Sequence, residues 1–343
     1  MTLMNVSPGP RNLITDVAGI KVGQAEDVAA RTGTTVLLPD EPAVCAVSVM
    51  GGAPGTRETD ALDPSRLLGG RVDAVTLSGG SVYGLDAASG VTAWLGARGR
   101  GFGFSGLDIT APIVTGAILF DLSNGGDKSW GETPPYLNLG RQAVAAAGKT
   151  FGLGNKGAGL GARAGTLKGG LGSASLYTGD GLQIGALMAV NAYGSAIVPG
   201  TKSFWAAPFE LDGEFGGVMP EELSDRDWAK GTKADANGLR QNTTIGIVAV
   251  NAKLTAAECQ RVAIMAHDGL ARALRPAHAP VDGDVIFVVA TGTHSLAEET
   301  RIRDLTEIGT YAGDCVARAI ARGVYEAETL GDMPAYRDVA RPD

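Results

Sequence analysis

Before about residue 220 the chain alternates short apolar runs with glycine clusters, as in AVCAVSVMGG (43–52), DAVTLSGG (73–80) and LQIGALMAVNAYG (182–194). Runs of this length ended by glycine predict buried strands closed by tight turns. Between two of them, SVYGLDAASGVTAWLGARG (81–99) opens on a serine and keeps helical spacing. That predicts a strand–Gly-Gly–helix unit with Ser81 as the cap. Further on, TIGIVAVN (244–251) reads as a strand, and Thr255 then opens a capping box with Glu258. Cys259, Val262, Ala266, Leu270 and Ala273 follow at three- and four-residue steps until Pro276 closes the helix. VIFVVA (285–290) is a second strand, and Leu305, Ile308, Ala312, Cys315 and Ala319 mark a second amphipathic helix. Strand–helix–strand–helix, with no repeat in the solenoid range, predicts a layered α/β fold.

Composition adds three constraints. Glycine fills 51 of 343 positions, so packing relies on small side chains; 19% of residues are charged and 44% hydrophobic, which excludes a disordered chain. A net charge of −8 offers no footprint for nucleic acid or an anionic membrane. The uncharged stretch Gly181–Thr201 carries Gln183, Asn191 and Pro199, which suits strands and a turn better than a membrane span. Cys45, Cys259 and Cys315 form no CxxC pair, and the N-terminal residues show no export pattern. Buried free thiols and a cytoplasmic location are expected. Nine of the twenty-two residues 221–242 are charged, and this segment is expected to be an exposed linker.

Familiar catalytic loops are incomplete here. Gly152, Gly154 and Gly157 satisfy GxGxxG, but no helical pattern follows to cradle a phosphate. Gly148-Lys149-Thr150 ends like a P-loop, with Ala143 where its first glycine belongs. Tyr83 stands where a nucleophile elbow beginning at Gly79 needs its second glycine. His267, His278 and His294 lack zinc-ligand spacing and read as satisfied or surface groups.

Six segments in order carry a resemblance: GGAPGTRETD (51–60), SGGSVYGLDAASGV (78–91), KGGLGSAS (168–175), MAVNAYG (188–194), QNTTIGIVAVNA (241–252) and DGD (282–284). From about residue 10 to about 325 the chain resembles the P1-type peptidases, self-cleaving hydrolases that include L-aminopeptidase/D-esterases, β-peptidyl aminopeptidases and nylon-oligomer endo-hydrolases. The resemblance implies one domain, residues 1–343, folded as a four-layer αββα sandwich of the N-terminal-nucleophile type. It implies backbone scission at Asn242–Thr243, giving fragments 1–242 and 243–343 that assemble as tetramers of cleaved pairs. The expected substrate is a small peptide or an oligoamide, with no cofactor.

Chemistry explains why the threonine should become terminal. A hydroxyl must pass its proton to a base, and scission creates an α-amine of pKa about 7.7–8.0 beside its own Oγ. Thr243 is therefore expected to attack an amide and form an acyl-enzyme. By resemblance, Asn191 donates to the oxyanion, Tyr83 assists it or orients substrate, and Lys168 supplies fixed positive charge. Asp282 and Asp284, around Gly283, are expected to orient the α-amine and bind a substrate ammonium group; a Mg²⁺ site from the same pair lacks a further carboxylate motif. The Asn-Thr-Thr segment leans toward the nylon-oligomer hydrolases. Two other functions compete: an acyltransferase of the ornithine acetyltransferase kind, and a non-catalytic small-molecule-binding module.

Overall fold

The computed structural model describes residues 6–66, 69–103, 105–220, 227–235 and 242–340. Two sheets organise them. The first orders its strands Ile20–Asp27, Thr32–Pro39, Ala74–Ser78, Val114–Ile118 and Thr56–Arg57. The second runs Gly170–Tyr177, Gln183–Asn191, Thr243–Ala252, Val285–His294, Ala43–Val49 and Arg71–Val72. Two neighbouring pairs are parallel, Ala74–Ser78 with Val114–Ile118 and Thr243–Ala252 with Val285–His294. A parallel pair needs a crossover. One crossover contains the helix Asp86–Gly96, and the other the helices Ala256–Ala266 and Asp268–Ala273.

Side chains of a strand alternate between its faces, and here both faces are buried. Along Thr243–Ala252, Ile245, Ile247 and Ala249 join Leu37, Val75 and Leu77 of the other sheet. Val248, Val250 and Ala252 instead pack on Cys259, Val262, Ile308 and Ala312 from the helices. Phe287 and Val289 face the first way, and Ile286 and Val288 the second. On the first sheet, Val36, Leu38 and Ala74 pack against Val91, Leu95, Leu139 and Val144 of Asp86–Gly96 and Tyr136–Ala145. Three apolar clusters result, one between the sheets and one beneath each helical set.

Glycine permits this closeness. The helix Arg301–Tyr325 lies so near Gly170–Tyr177 that a β-carbon on Gly172 would stand 1.8 Å from the Ala319 carbonyl oxygen. The same helix sends Arg318 into the interior, where it pairs with Glu214 and donates to the Ser175 carbonyl (3.0 Å) and Asn12 Oδ1 (2.9 Å).

Several expectations meet their outcome here. The Thr255–Glu258 capping box forms, and the three cysteines are free and buried. Ser81 is not the cap of an α-helix. Gly80 turns the chain through a left-handed conformation, Ser81–Leu85 is a 3₁₀ turn, and the α-helix starts at Asp86. The expected helix through Ala273 is broken at His267, whose ring bonds the Ser48 carbonyl. Among the described residues no helix is long and apolar enough to cross a membrane. Residues 221–226 and 236–241 of the expected linker lie outside the described set. Within 227–235, Trp228 is exposed but Thr232 and Lys233 are buried, so the segment is not exposed throughout. Lys233 is drawn inward because Asn191 offers its ammonium two oxygens.

Candidate active site

Thr243 opens its strand, is buried, and shares the inter-sheet face of Ile245 and Ile247. Across the antiparallel ladder it pairs with Asn191. On its other side Asn242 forms a parallel bridge with Asp282. The Asn242 N–H donates to the Val281 carbonyl at 3.2 Å, and the Asn242 carbonyl oxygen accepts the Gly283 N–H at 2.9 Å. That same oxygen accepts a hydrogen bond from Thr243 Oγ1. Two donors thus converge on the carbonyl preceding the threonine. Gly283 leaves room for this: a β-carbon there would lie 2.8 Å from Thr243 Oγ1 and 2.7 Å from the Ala53 carbonyl oxygen.

The two aspartates of the turn are both buried and each accepts two or more hydrogen bonds. Asp282 accepts the N–H groups of Tyr193 (3.2 Å) and Ala279 (3.0 Å). Burial, and then the charge of Asp284, push its carboxyl up to about 6. Asp284 accepts the Thr244 N–H at 2.8 Å through Oδ1, and the backbone N–H and Nδ1 of His278 at 3.0 and 2.8 Å through Oδ2. Its main-chain oxygen takes the Met50 and Gly51 N–H groups. The turn is pinned on every side, which fixes the start of the Thr243 strand.

Asn191 has its carbonyl end turned to two donors, the Arg163 N–H at 3.0 Å and Lys233 Nζ at 3.3 Å. Its amide nitrogen therefore points the other way and donates to the Phe120 carbonyl at 3.0 Å. Lys233 Nζ also reaches the Asn191 main-chain oxygen at 3.1 Å, and its charge pulls the Asp282 carboxyl downward. Asn191, Lys233, Arg163, Phe120 and Asp121 line one small cavity.

Lys168 is 0% exposed, with Nζ held by the Gly159 (2.9 Å) and Gly169 (2.6 Å) carbonyls. Burial drives its ammonium down to about 7, opposed by the charge of Asp121 and assisted by that of Arg163. Asp121 is itself buried and pushed up to about 6, although the Thr32 hydroxyl (2.6 Å) and Gly80 N–H (2.8 Å) favour its charged form. A cation and a carboxylate titrating near neutrality therefore flank the Asn191 end of the site.

Thr243, Asn242, Asp282 and Asp284 thus form one hydrogen-bonded cluster, with Asn191 beside it across the ladder. Lys168 joins through its electrostatic neighbours Arg163 and Asp121. Tyr83 stands apart. It is 46% exposed, packs edge-on against Trp130 at 5.9 Å, and has no hydrogen bond to the cluster among the described residues. Lys233, Asp121 and His278 escape a reading of the sequence. Lys233 hides in a charge-rich segment, and Asp121 in a polar loop; only the nearness of His278 to the DGD turn was a usable signal. Among the described residues no group of three His, Cys, Asp or Glu side chains is placed to hold a metal ion.

Comparison with known proteins supplies the context. The chain is 44% identical to an uncharacterized aminopeptidase of Mycobacterium tuberculosis, over 96% of this chain and 98% of the relative. It is 28% identical to the 6-aminohexanoate-oligomer endohydrolase of Paenarthrobacter ureafaciens, over 95% and 86%. The structure superimposes with a TM-score of 0.70 on the L-aminopeptidase D-Ala-esterase/amidase from Ochrobactrum anthropi, described as a variant of the Ntn hydrolase fold, at 22% identity over 96% and 90% of the two chains. The model of peptidase family S58 matches residues 12–335, nearly the whole chain and every residue of the Thr243 cluster, so this protein belongs to peptidase family S58.

Proposed function

We propose that the protein is a self-processing amide hydrolase whose nucleophile is Thr243 after scission at Asn242–Thr243, on a four-layer αββα sandwich. The observation that carries this reading is the convergence of Thr243 Oγ1 and the Gly283 N–H on the Asn242 carbonyl oxygen. Oγ1 attacks the Asn242 carbonyl carbon, the C–N bond to Thr243 breaks, and its nitrogen takes the Oγ1 proton and leaves as the α-amine. Water then cleaves the resulting ester, leaving a carboxylate on Asn242 and a free hydroxyl on Thr243. The Gly283 N–H stabilises the oxyanion in this first reaction.

In the second reaction the new α-amine takes the proton of Oγ1 as it attacks a substrate amide. Acyl-threonine forms, the amine product departs, and water releases the acid. Asn191, whose amide nitrogen is aimed by Lys233 and Arg163, is the side-chain oxyanion donor once a substrate displaces its contact with Phe120. Lys168 and Asp121 set the local charge. Peptides and short oligoamides are the substrate class, supported by the aminopeptidase and oligomer-hydrolase relatives. Three buried free thiols fit a reducing compartment.

Intact-mass analysis and N-terminal sequencing test the reading. Purified protein should yield fragments of about 25 and 10 kDa from the 34.9 kDa chain, the smaller beginning at Thr243. Thr243→Ala should remain whole and inactive. An uncut wild type that hydrolyses amides sinks the reading. Faster acyl transfer to added ornithine than to water would make it an acyltransferase instead.

A further inference from the structure

His278 has no place in the chemistry above, yet its contacts tie it to the nucleophile. The Asp284 carboxylate has about four lone-pair positions. The Thr244 N–H, the His278 N–H and His278 Nδ1 fill three of them. With a carboxylate as its partner, Nδ1 is the donor. His278 holds this position at a left-handed φ of +56°, a region that most side chains avoid but that Asn, Asp and His visit more readily. Its ring meets the His267 ring edge-on at 4.9 Å, and His267 is itself anchored to the Ser48 carbonyl at 3.0 Å. Burial pushes His267 down to about 4, so the ring beside His278 stays uncharged.

We infer that His278 is a positioning residue for hydrolysis: its Nδ1–H locks the Asp284 carboxylate in the orientation whose remaining lone pair receives the Thr243 α-amine. This rests on the N-terminal-threonine reading above. Its readout is the step after scission, because the α-amine does not exist in the precursor. In the free enzyme, Asp284 clamps the Thr244 N–H with one oxygen and steers the neighbouring amine. Without Nδ1 the carboxylate can swing away, and the amine loses its fixed bearing on Oγ1.

The left-handed backbone makes a clean test possible. His278→Gly and His278→Asn both adopt that φ without strain, but only Asn keeps a side-chain donor; His278→Asp has the shape of Asn and presents a like charge to Asp284. Because the same contacts also hold the Thr243 strand in the precursor, self-cleavage of each variant is run to completion and kcat is read only on the processed protein. On processed protein with an N-terminally free peptide or a 6-aminohexanoate oligomer, Gly and Asp should lower kcat about tenfold or more, as loss of a hydrogen bond to a charged group does. KM should stay within about twofold, and Asn should hold kcat within about threefold of wild type. A processed Gly or Asp variant with wild-type kcat overturns the inference, as does an Asn variant no better than Gly. Should His278→Gly fail to fold or to process, the Asn–Asp pair decides on the same readout. An uncut, active wild type would instead remove the underlying chemistry, so the two failures are separate.

Discussion

Gly283→Ala isolates how closely self-cleavage depends on the space beside the nucleophile. The added methyl would stand 2.8 Å from Thr243 Oγ1 and 2.7 Å from the Ala53 carbonyl oxygen. Ordinary carbon–oxygen contact begins roughly 0.5 Å farther out, and the Ala53 side of the clash is backbone, which yields poorly. Thr243 must therefore give way. A misplacement of about 1 Å can cost roughly 100-fold in rate, so half of that predicts about a tenfold loss in self-cleavage. Disturbance of the Gly283 N–H bond to the Asn242 carbonyl extends the range to about 100-fold. Overpacking of this kind costs about 1–3 kcal/mol, or a fall in Tm of about 1.5–4 °C for a chain of this length melting as one unit. Gly179→Ala is the control, since nothing lies within 4 Å of its added carbon. The assay is the time course of fragment appearance after rapid purification, with melting followed in parallel. A Gly283→Ala protein that matures at the wild-type rate refutes the geometry on which the scission step is built.

Other outcomes follow from the same site. Lys168→Met should show a pH-dependent stability difference. The folded-state ammonium titrates near 7, below its ordinary 10.5, so the unfolded chain binds more protons between those values and wild-type stability rises with pH across them. Thermal melts should therefore show wild type gaining on Lys168→Met from pH 6 to pH 9, and parallel curves would count against a buried ammonium. Lys233→Met should lower kcat about tenfold, since Asn191 Oδ1 then keeps only the Arg163 N–H and the amide is free to turn. Lys233→Arg, too broad for the same pocket, should not restore the rate. Asn191→Ala should cost about 100- to 1,000-fold in kcat on processed protein, and a smaller effect than that of Lys233→Met would show that Lys233 acts through something else.

The strands that enclose the site were legible because burial on both faces leaves continuous apolar runs, as in VIFVVA and TIGIVAVN. Of the strands five residues or longer in the two sheets, four were missed for a physical reason. IKVGQAED and TGTTVLLP mix glycine, threonine and charge, and GLGSASLY is made of small residues that owe their burial to an approaching helix. VTGAI of the parallel pair is short and broken by a glycine. Helix Tyr136–Ala145 was missed because its apolar face rests on Tyr136, Leu139 and Ala143 in a run with mixed polarity. At the site, Thr243 and the DGD turn were found by resemblance of motif, and the pairing of Asn191 with Thr243 needed the ladder itself. Lys168 could not be distinguished from a solvated turn lysine, since its burial comes from Gly159, distant in the local pattern. Histidines judged by metal spacing were set aside, yet His278 bonds a carboxylate six residues away.

The order of strands in the second sheet limits what severing the chain at residue 242 can achieve. Thr243–Ala252 and Val285–His294 sit in mid-sheet, held on one edge by Gln183–Asn191 and on the other by Ala43–Val49. The two pieces would be woven together like warp and weft, with Arg318 of the shorter one bolted to Asn12 and Glu214 of the longer. Neither half owns the whole second sheet. Separately produced halves should therefore not find each other as finished domains, and maturation becomes a one-way event that only a continuous precursor can undergo.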